Sequence, residues 1–173
     1  HGHCLSRALC GLLVLCTAQA AWADMRALVV GVSGYPSLPE HRLSGPRNDV
    51  QRMKTVLAGR GFPPNHITVL ADGMPGGAAP TRSNILQALE GLARSSKAGD
   101  TVLLYFSGHG SQQPVVPGSR QAAQESHGWH EIFLPIDIGR WDGQRGAVTN
   151  AIVDHELRAA VDKAGLALLF QIV

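Results

Sequence analysis

The chain has 173 residues, enough for one domain with a real core and too few for two ordinary ones. Apolar residues make up 45% and charged residues 16%, which excludes both a disordered chain and a membrane bundle. Net charge is +2 with the two signs interspersed and no Lys/Arg block, so nucleic acid is not an expected partner.

The first residues differ in kind from the rest. His1 to Arg7 is a short, weakly basic lead, and Ala8 to Ala18 is an apolar run the length of a signal-peptide core. Ala18-Gln19-Ala20 and Ala21-Trp22-Ala23 are small-x-small sites, the second followed by Asp24. Residues 1–23 read as a secretory signal cut after Ala23 or slightly earlier, leaving a domain at 24–173 that is secreted or periplasmic. The competing reading is an upstream start assigned in error, with Met25 as the true one. The run is short for a bilayer span, so no stable membrane insertion is expected. Position 1 is His, which reads as an incomplete N-terminus.

Cys4, Cys10 and Cys16 all fall in that leader, and none follows the small residue a lipoprotein cysteine needs. Residues 24–173 therefore offer no disulfide, no thiolate metal site and no thiol nucleophile.

Met25 to Val32 is a buried-strand pattern ended by Ser33-Gly34-Tyr35-Pro36. No Gly-x-Gly-x-x-Gly and no Gly-x-x-x-x-Gly-Lys accompanies it, which disfavours a nucleotide- or flavin-binding α/β protein. Leu43 to Val50 leads into a helix whose apolar face is Val50, Met53, Val56 and Leu57, stopped by Gly59 and Gly61. Ile67 to Leu70 is a short strand, and Ala71 to Pro80 a Gly/Pro-rich exposed loop. Thr81 is the expected N-cap of a helix presenting Ile85, Leu86, Leu89 and Leu92 on one face. Thr101 to Phe106 is then a short β-branched and aromatic run, entered from a Gly99-Asp100 turn, that reads as a strand buried on both faces. Strand, helix, strand, helix, strand with right-handed crossovers builds a parallel sheet covered on both sides.

That last strand ends in Ser107-Gly108-His109-Gly110-Ser111, and in open α/β sheets ligands bind at the carboxyl ends of strands. Pro114 to Gly128 is polar and irregular, a surface loop beside the site. Glu131 to Pro135 is a short strand or arm, and Arg140 to Asn150 is turn-rich. Asp154 to Lys163 is a helix presenting Leu157, Ala160 and Val161, and Leu166 to Val173 reads as a fourth long strand at which the domain breaks off.

Tyr105-Phe106-Ser107-Gly108-His109-Gly110-Ser111-Gln112 resembles the histidine motif of the caspase-like cysteine peptidases (peptidase C14), in particular the metacaspase and bacterial caspase-homologue branch. The resemblance extends along the chain from Met25. Ala27 to Val32 is similar to the family's first strand, and Leu43-Ser44-Gly45-Pro46-Arg47-Asn48-Asp49-Val50 to its Leu-x-Gly-x-x-Asn-Asp segment. Glu131 to Asp137 and Asp154-His155-Glu156-Leu157 resemble the segments that follow the His. It implies a three-layer α/β/α caspase-like fold with a mostly parallel sheet, C-terminally incomplete here. It also implies a His–Cys dyad acting on protein or peptide substrates, with His109 as the catalytic imidazole and the Gly110 backbone N–H as an oxyanion donor. The family's nucleophile sits in an Asp-x-Cys-His-Ser-Gly-type turn, which by this pattern falls two or three residues past Val173. His109 without that Cys gives no covalent catalysis, so these residues alone are expected to be inert. An unfinished sheet also leaves an apolar edge, so they are expected to be poorly soluble alone.

The family's preference for Arg or Lys at the cleavage position uses acidic pocket residues, and Asp49 matches one of them. The plainer role for Asp49 is a first-turn acid facing a helix dipole. Some members bind calcium through aspartates after the His. Here His127-Gly128-Trp129-His130-Glu131 stands where Asp-Gly-x-Asp-Glu is usual, and His155 follows Asp154 where a second Asp is common. Imidazoles in place of carboxylates count against calcium. The spacing of His127, His130 and His155 fits no zinc motif, so no cofactor or metal is expected. Against the peptidase stands a non-catalytic homologue that keeps the fold as a binding or regulatory module. The intact His motif argues against that alternative.

Overall fold

The structure, a computed structural model, describes residues 23–115, 118, 128–141, 143 and 146–164. The signal-like leader up to residue 22, His127 and the apolar run 166–173 lie outside the described residues.

Three strands form a parallel sheet in the order β2-β1-β3, with β1 at Met25–Gly31, β2 at Ile67–Ala71 and β3 at Thr101–Ser107. β1 is paired on both edges: Ala27 to Gly31 align with Ile67 to Ala71, and Met25 to Gly31 with Thr101 to Ser107. Leu28 and Val30 face one layer with Leu104 and Phe106, while Ala27 and Val29 face the other with Tyr105, as period-two side chains must. The helix α1 (Gly45–Gly59) covers the second face, placing Val50 and Leu57 against Ala27 and Val29. Helices α2 (Arg82–Ser95) and α3 (Asp154–Ala164) belong to the first face, through Ile85, Leu89, Leu92, Leu157 and Val161. The layers are thus α/β/α, as expected.

The helix boundaries follow from local chemistry. Thr81 Oγ1 accepts the Asn84 N–H at 3.2 Å, capping α2. α1 ends at Gly59, and Gly61 follows with φ +86°, a left-handed conformation that glycine adopts without strain. Two corrections arise. Val56, assigned to the buried face of α1, is 51% exposed, because the helix rolls so that Val50 and Leu57 meet the sheet. Pro114, assigned to the start of a surface loop, instead closes a strand, β4 (Gly110–Pro114), which pairs antiparallel with β5 (Trp129–Phe133) and through it with β6 (Ile152–Val153). This small sheet, order β4-β5-β6, stands beside the parallel one, joined to it through Phe106 and Phe133, whose rings meet edge to face at 5.2 Å.

Close approach makes Gly31 a sensitive position. A Cβ there would lie 2.5 Å from Val50 Cγ2 and 3.2 Å from the Pro46 carbonyl oxygen. Val50 is wholly buried and has nowhere to move. Gly31→Ala is therefore expected to destabilise by about 1–3 kcal/mol, the usual cost of overpacking, as a lowered urea midpoint at unchanged slope.

Arg82 ties the two helices of the first face together. Its guanidinium donates to both Glu156 carboxylate oxygens, at 2.9 and 2.5 Å, and to the Ala151 carbonyl at 2.6 Å. Burial pushes the Glu156 carboxyl up, but the Arg82 hydrogen bonds, the Val153 N–H and the neighbouring positive charges together hold it below its ordinary value. A lowered folded pKa means that the pair's stabilisation is complete above the ordinary glutamate range and is lost as pH falls through the lowered value. Glu156→Gln is expected to flatten the acid limb of the melting-temperature profile while lowering its neutral plateau.

Candidate active site

The carboxyl ends of β1 and β3 lie side by side, and the loop leaving β1 folds over the end of β3. Asp72, just after β2, fixes that loop by accepting the Ser33 and Gly34 N–H groups at 2.7 and 2.9 Å. The Leu43 N–H closes it on the Ser33 carbonyl at 2.9 Å. Tyr35 is thereby turned inward, 2% exposed. Burial pushes its phenol up to about 12, the His109 N–H opposes this, and the Asp72 charge adds to it. Tyr35 therefore stays a neutral hydroxyl near neutral pH.

His109 is held from three sides. Its backbone N–H donates to Tyr35 Oη at 2.8 Å, its ring lies tilted on the Tyr35 ring at 5.1 Å, and the His41 ring meets it edge-on at 5.9 Å. Its Nε2 sits 2.7 Å from the His41 carbonyl oxygen. A carbonyl only accepts, so this contact requires a proton on Nε2 and leaves Nδ1 of the neutral ring as the basic nitrogen. Gly108 permits the close packing: a Cβ there would lie 3.0 Å from Tyr35 Oη and 3.1 Å from Phe133 Cζ.

Gly110 opens β4 opposite Phe133, and the Leu134 N–H donates to the His109 carbonyl at 3.0 Å. Only alternate residues of an antiparallel ladder exchange bonds. His109 is in the bonded phase, so the Gly110 N–H is directed away from the β5 edge.

Asp49 is the fifth residue of α1, beyond the first turn, so the dipole role weakens. Its Oδ2 accepts the Ser107 hydroxyl at 2.8 Å, which draws the half-buried carboxylate to the end of β3. Its charge adds to burial in raising the Tyr105 phenol. Beside it opens a cleft of about 440 Å³ lined by Ser33, Arg42, Leu43, Ser44, Arg47 and Asn48. Asp49 and His109 thus stand at one end of the sheet, and sequence reasoning had singled out both. It missed Tyr35, His41, Asp72 and Ser107, which position them. Gly34-Tyr35-Pro36 straight after a strand was the one local hint.

Of the histidines after β4, His130 and His155 come together with Asp154, their ligand atoms all within 4.8 Å of one another. One carboxylate and two imidazoles do not fit calcium, which takes six to eight oxygens. Among the described residues no helix is long and apolar enough to cross a membrane.

The profile of the metacaspase, peptidase C14 domain matches residues 25–169. Metacaspase-7 of Arabidopsis thaliana is 35% identical over 139 residues, 80% of this chain and 30% of that protein. Metacaspase-1 of Candida albicans is 31% identical over 114 residues, 65% of this chain and 25% of that protein. The chain thus spans under a third of the length of these relatives. A crystal structure of a Geobacter sulfurreducens protein, solved as a structural-genomics target, superposes with a TM-score of 0.60 at 26% identity, covering 86% of this chain and 48% of that one. With the family profile running from the first strand through α3 and the His109 turn at the end of β3, the chain belongs to the metacaspase family, peptidase C14.

Proposed function

We propose that this chain is the histidine-bearing part of a cysteine endopeptidase cleaving after Arg or Lys, with His109 as the partner of a thiol supplied past residue 173. The observation that carries the reading is the contact between His109 Nε2 and the His41 carbonyl, which orients the ring and leaves Nδ1 to handle the proton. A thiol with an ordinary pKa of about 8.5 is mostly protonated at neutral pH. Nδ1 takes its proton, and the thiolate attacks the scissile carbonyl carbon. The Gly110 N–H donates to the oxygen that becomes negative. The imidazolium then gives the proton to the leaving amine as the C–N bond breaks, and water, deprotonated by the same nitrogen, releases the acyl group.

Asp49 supplies negative charge for a basic side chain. The neighbouring cleft is lined by Arg42 and Arg47 rather than by Asp49, and by the family resemblance a second acid beside the thiol would complete the pocket. The leader fits export to the periplasm or the medium, and N-terminal sequencing of the mature protein should begin at or slightly before Asp24.

The test is to read the gene past the Val173 codon and assay the whole product on Arg- and Lys-containing peptides. An Asp-x-Cys-His-Ser-Gly-like turn within a few codons, with cleavage after the basic residue, is expected. A stop codon or another residue at that turn ends the peptidase reading in favour of a binding module.

A further inference from the structure

We propose that His130, Asp154 and His155 form a site for a divalent transition ion of the zinc class. The three come from two elements that the small sheet brings together. Continuing the β5–β6 register, in which Ile132 faces Val153, sets His130 opposite His155, and Asp154 and His155 open α3. The His130 and His155 rings lie 5.4 Å apart with planes at 60°, and all three ligand atoms fall within 4.8 Å of one another. Tetrahedral zinc with bonds near 2.0–2.1 Å needs its ligands roughly 3.3 Å apart, which modest side-chain rotation supplies.

Three further features point to a cation. His130 is 6% exposed, so a polar ring is held inside the molecule and directed at the other two groups. Asp154 Oδ1 and His155 Nδ1 are each buried as atoms, with no hydrogen-bond partner among the described residues. A buried carboxylate oxygen and a buried ring nitrogen left so are costly unless something binds them. Glu156, the neighbouring acid, is already engaged by Arg82, and Arg158 reaches only the other Asp154 oxygen, Oδ2, at 3.7 Å. Asp154 also offsets the positive N-terminal end of α3 that would otherwise repel a cation.

The donor set decides the ion. Two nitrogens and one oxygen suit zinc, cobalt or copper, whereas calcium and magnesium take oxygen shells. Asp154 and His155 are half-buried, so a water completes the shell from the solvent side. The bound ion clamps the start of β5 to α3, where the β5–β6 ladder itself holds only two residue pairs.

The experiment is titration of the tag-free, full-length protein carrying His109→Ala, which removes the imidazole at the active site from competition. One equivalent of Zn²⁺ should bind with micromolar or tighter affinity and raise the melting temperature. Co²⁺ should give the intense visible bands of tetrahedral coordination, and Ca²⁺ in large excess should not displace either. His155→Ala and the nearly isosteric Asp154→Asn should keep the metal-free melting temperature within a few degrees. Each should weaken Zn²⁺ binding at least about tenfold and abolish the metal-dependent shift. Absence of stoichiometric Zn²⁺ binding, preference for Ca²⁺, or parent-like binding by both variants would overturn the proposal. The peptidase reading survives any of these, since the titration uses a protein without His109.

Discussion

His109→Ala in the full-length protein should lower the rate of peptide cleavage by about 10²–10⁴-fold, the span a positioned general acid–base contributes. In the mechanism proposed above the imidazole takes the thiol proton and then protonates the leaving amine, and no other described side chain shares its position. Fold should be unaffected. The backbone N–H bond to Tyr35 Oη and the carbonyl bond from Leu134 do not involve the side chain, and alanine keeps both. Circular dichroism and a melting temperature close to the parent's, beside the lost turnover, are the expected pair of results. A His109→Ala protein that cleaves at the parent rate would remove His109 from the chemistry.

Asp49→Asn is the second large effect. Asparagine keeps an oxygen to accept the Ser107 hydroxyl, so the end of β3 stays in place while the charge is lost. Hydrogen bonds to charged groups are worth about 1.5–3 kcal/mol, or roughly ten- to a hundredfold. The loss should fall on kcat/KM for substrates with Arg or Lys at the cleavage position and spare neutral ones, narrowing the preference between them. Equal loss for both classes would mean that Asp49 acts through Ser107 and the strand end rather than on the substrate. Ser107→Ala separates the two: it frees the carboxylate without removing its charge, so the preference for basic residues should persist.

The parallel sheet was legible because its strands are runs of buried apolar residues, and α2 because Thr81 and a clean helical stripe mark it. Gly110-Ser111-Gln112-Gln113-Pro114 was not legible as β4. It has no apolar alternation and owes its extended form to β5, a partner more than a dozen residues away. β6 is only Ile152 and Val153, too short to show a period. At the site, His109 and Asp49 carried motif signals of their own. Tyr35 and His41 act through a phenol oxygen and a backbone carbonyl, groups whose role depends on where the chain folds and not on residue spacing. His130 and His155, 25 residues apart in sequence, are brought to neighbouring positions by strand pairing; their spacing fits no metal motif, and only their standing where the resemblance has aspartates hinted at that meeting.

A thiolate served by His109 should react with a thiol-reactive peptide ending in arginine, read as covalent labelling of the full-length protein. One equivalent of label is expected on a single cysteine past residue 173, with labelling at least a hundredfold slower after His109→Ala and blocked by an Arg-containing substrate peptide. Labelling that proceeds at the same rate without His109, or no labelled cysteine at all, would contradict it.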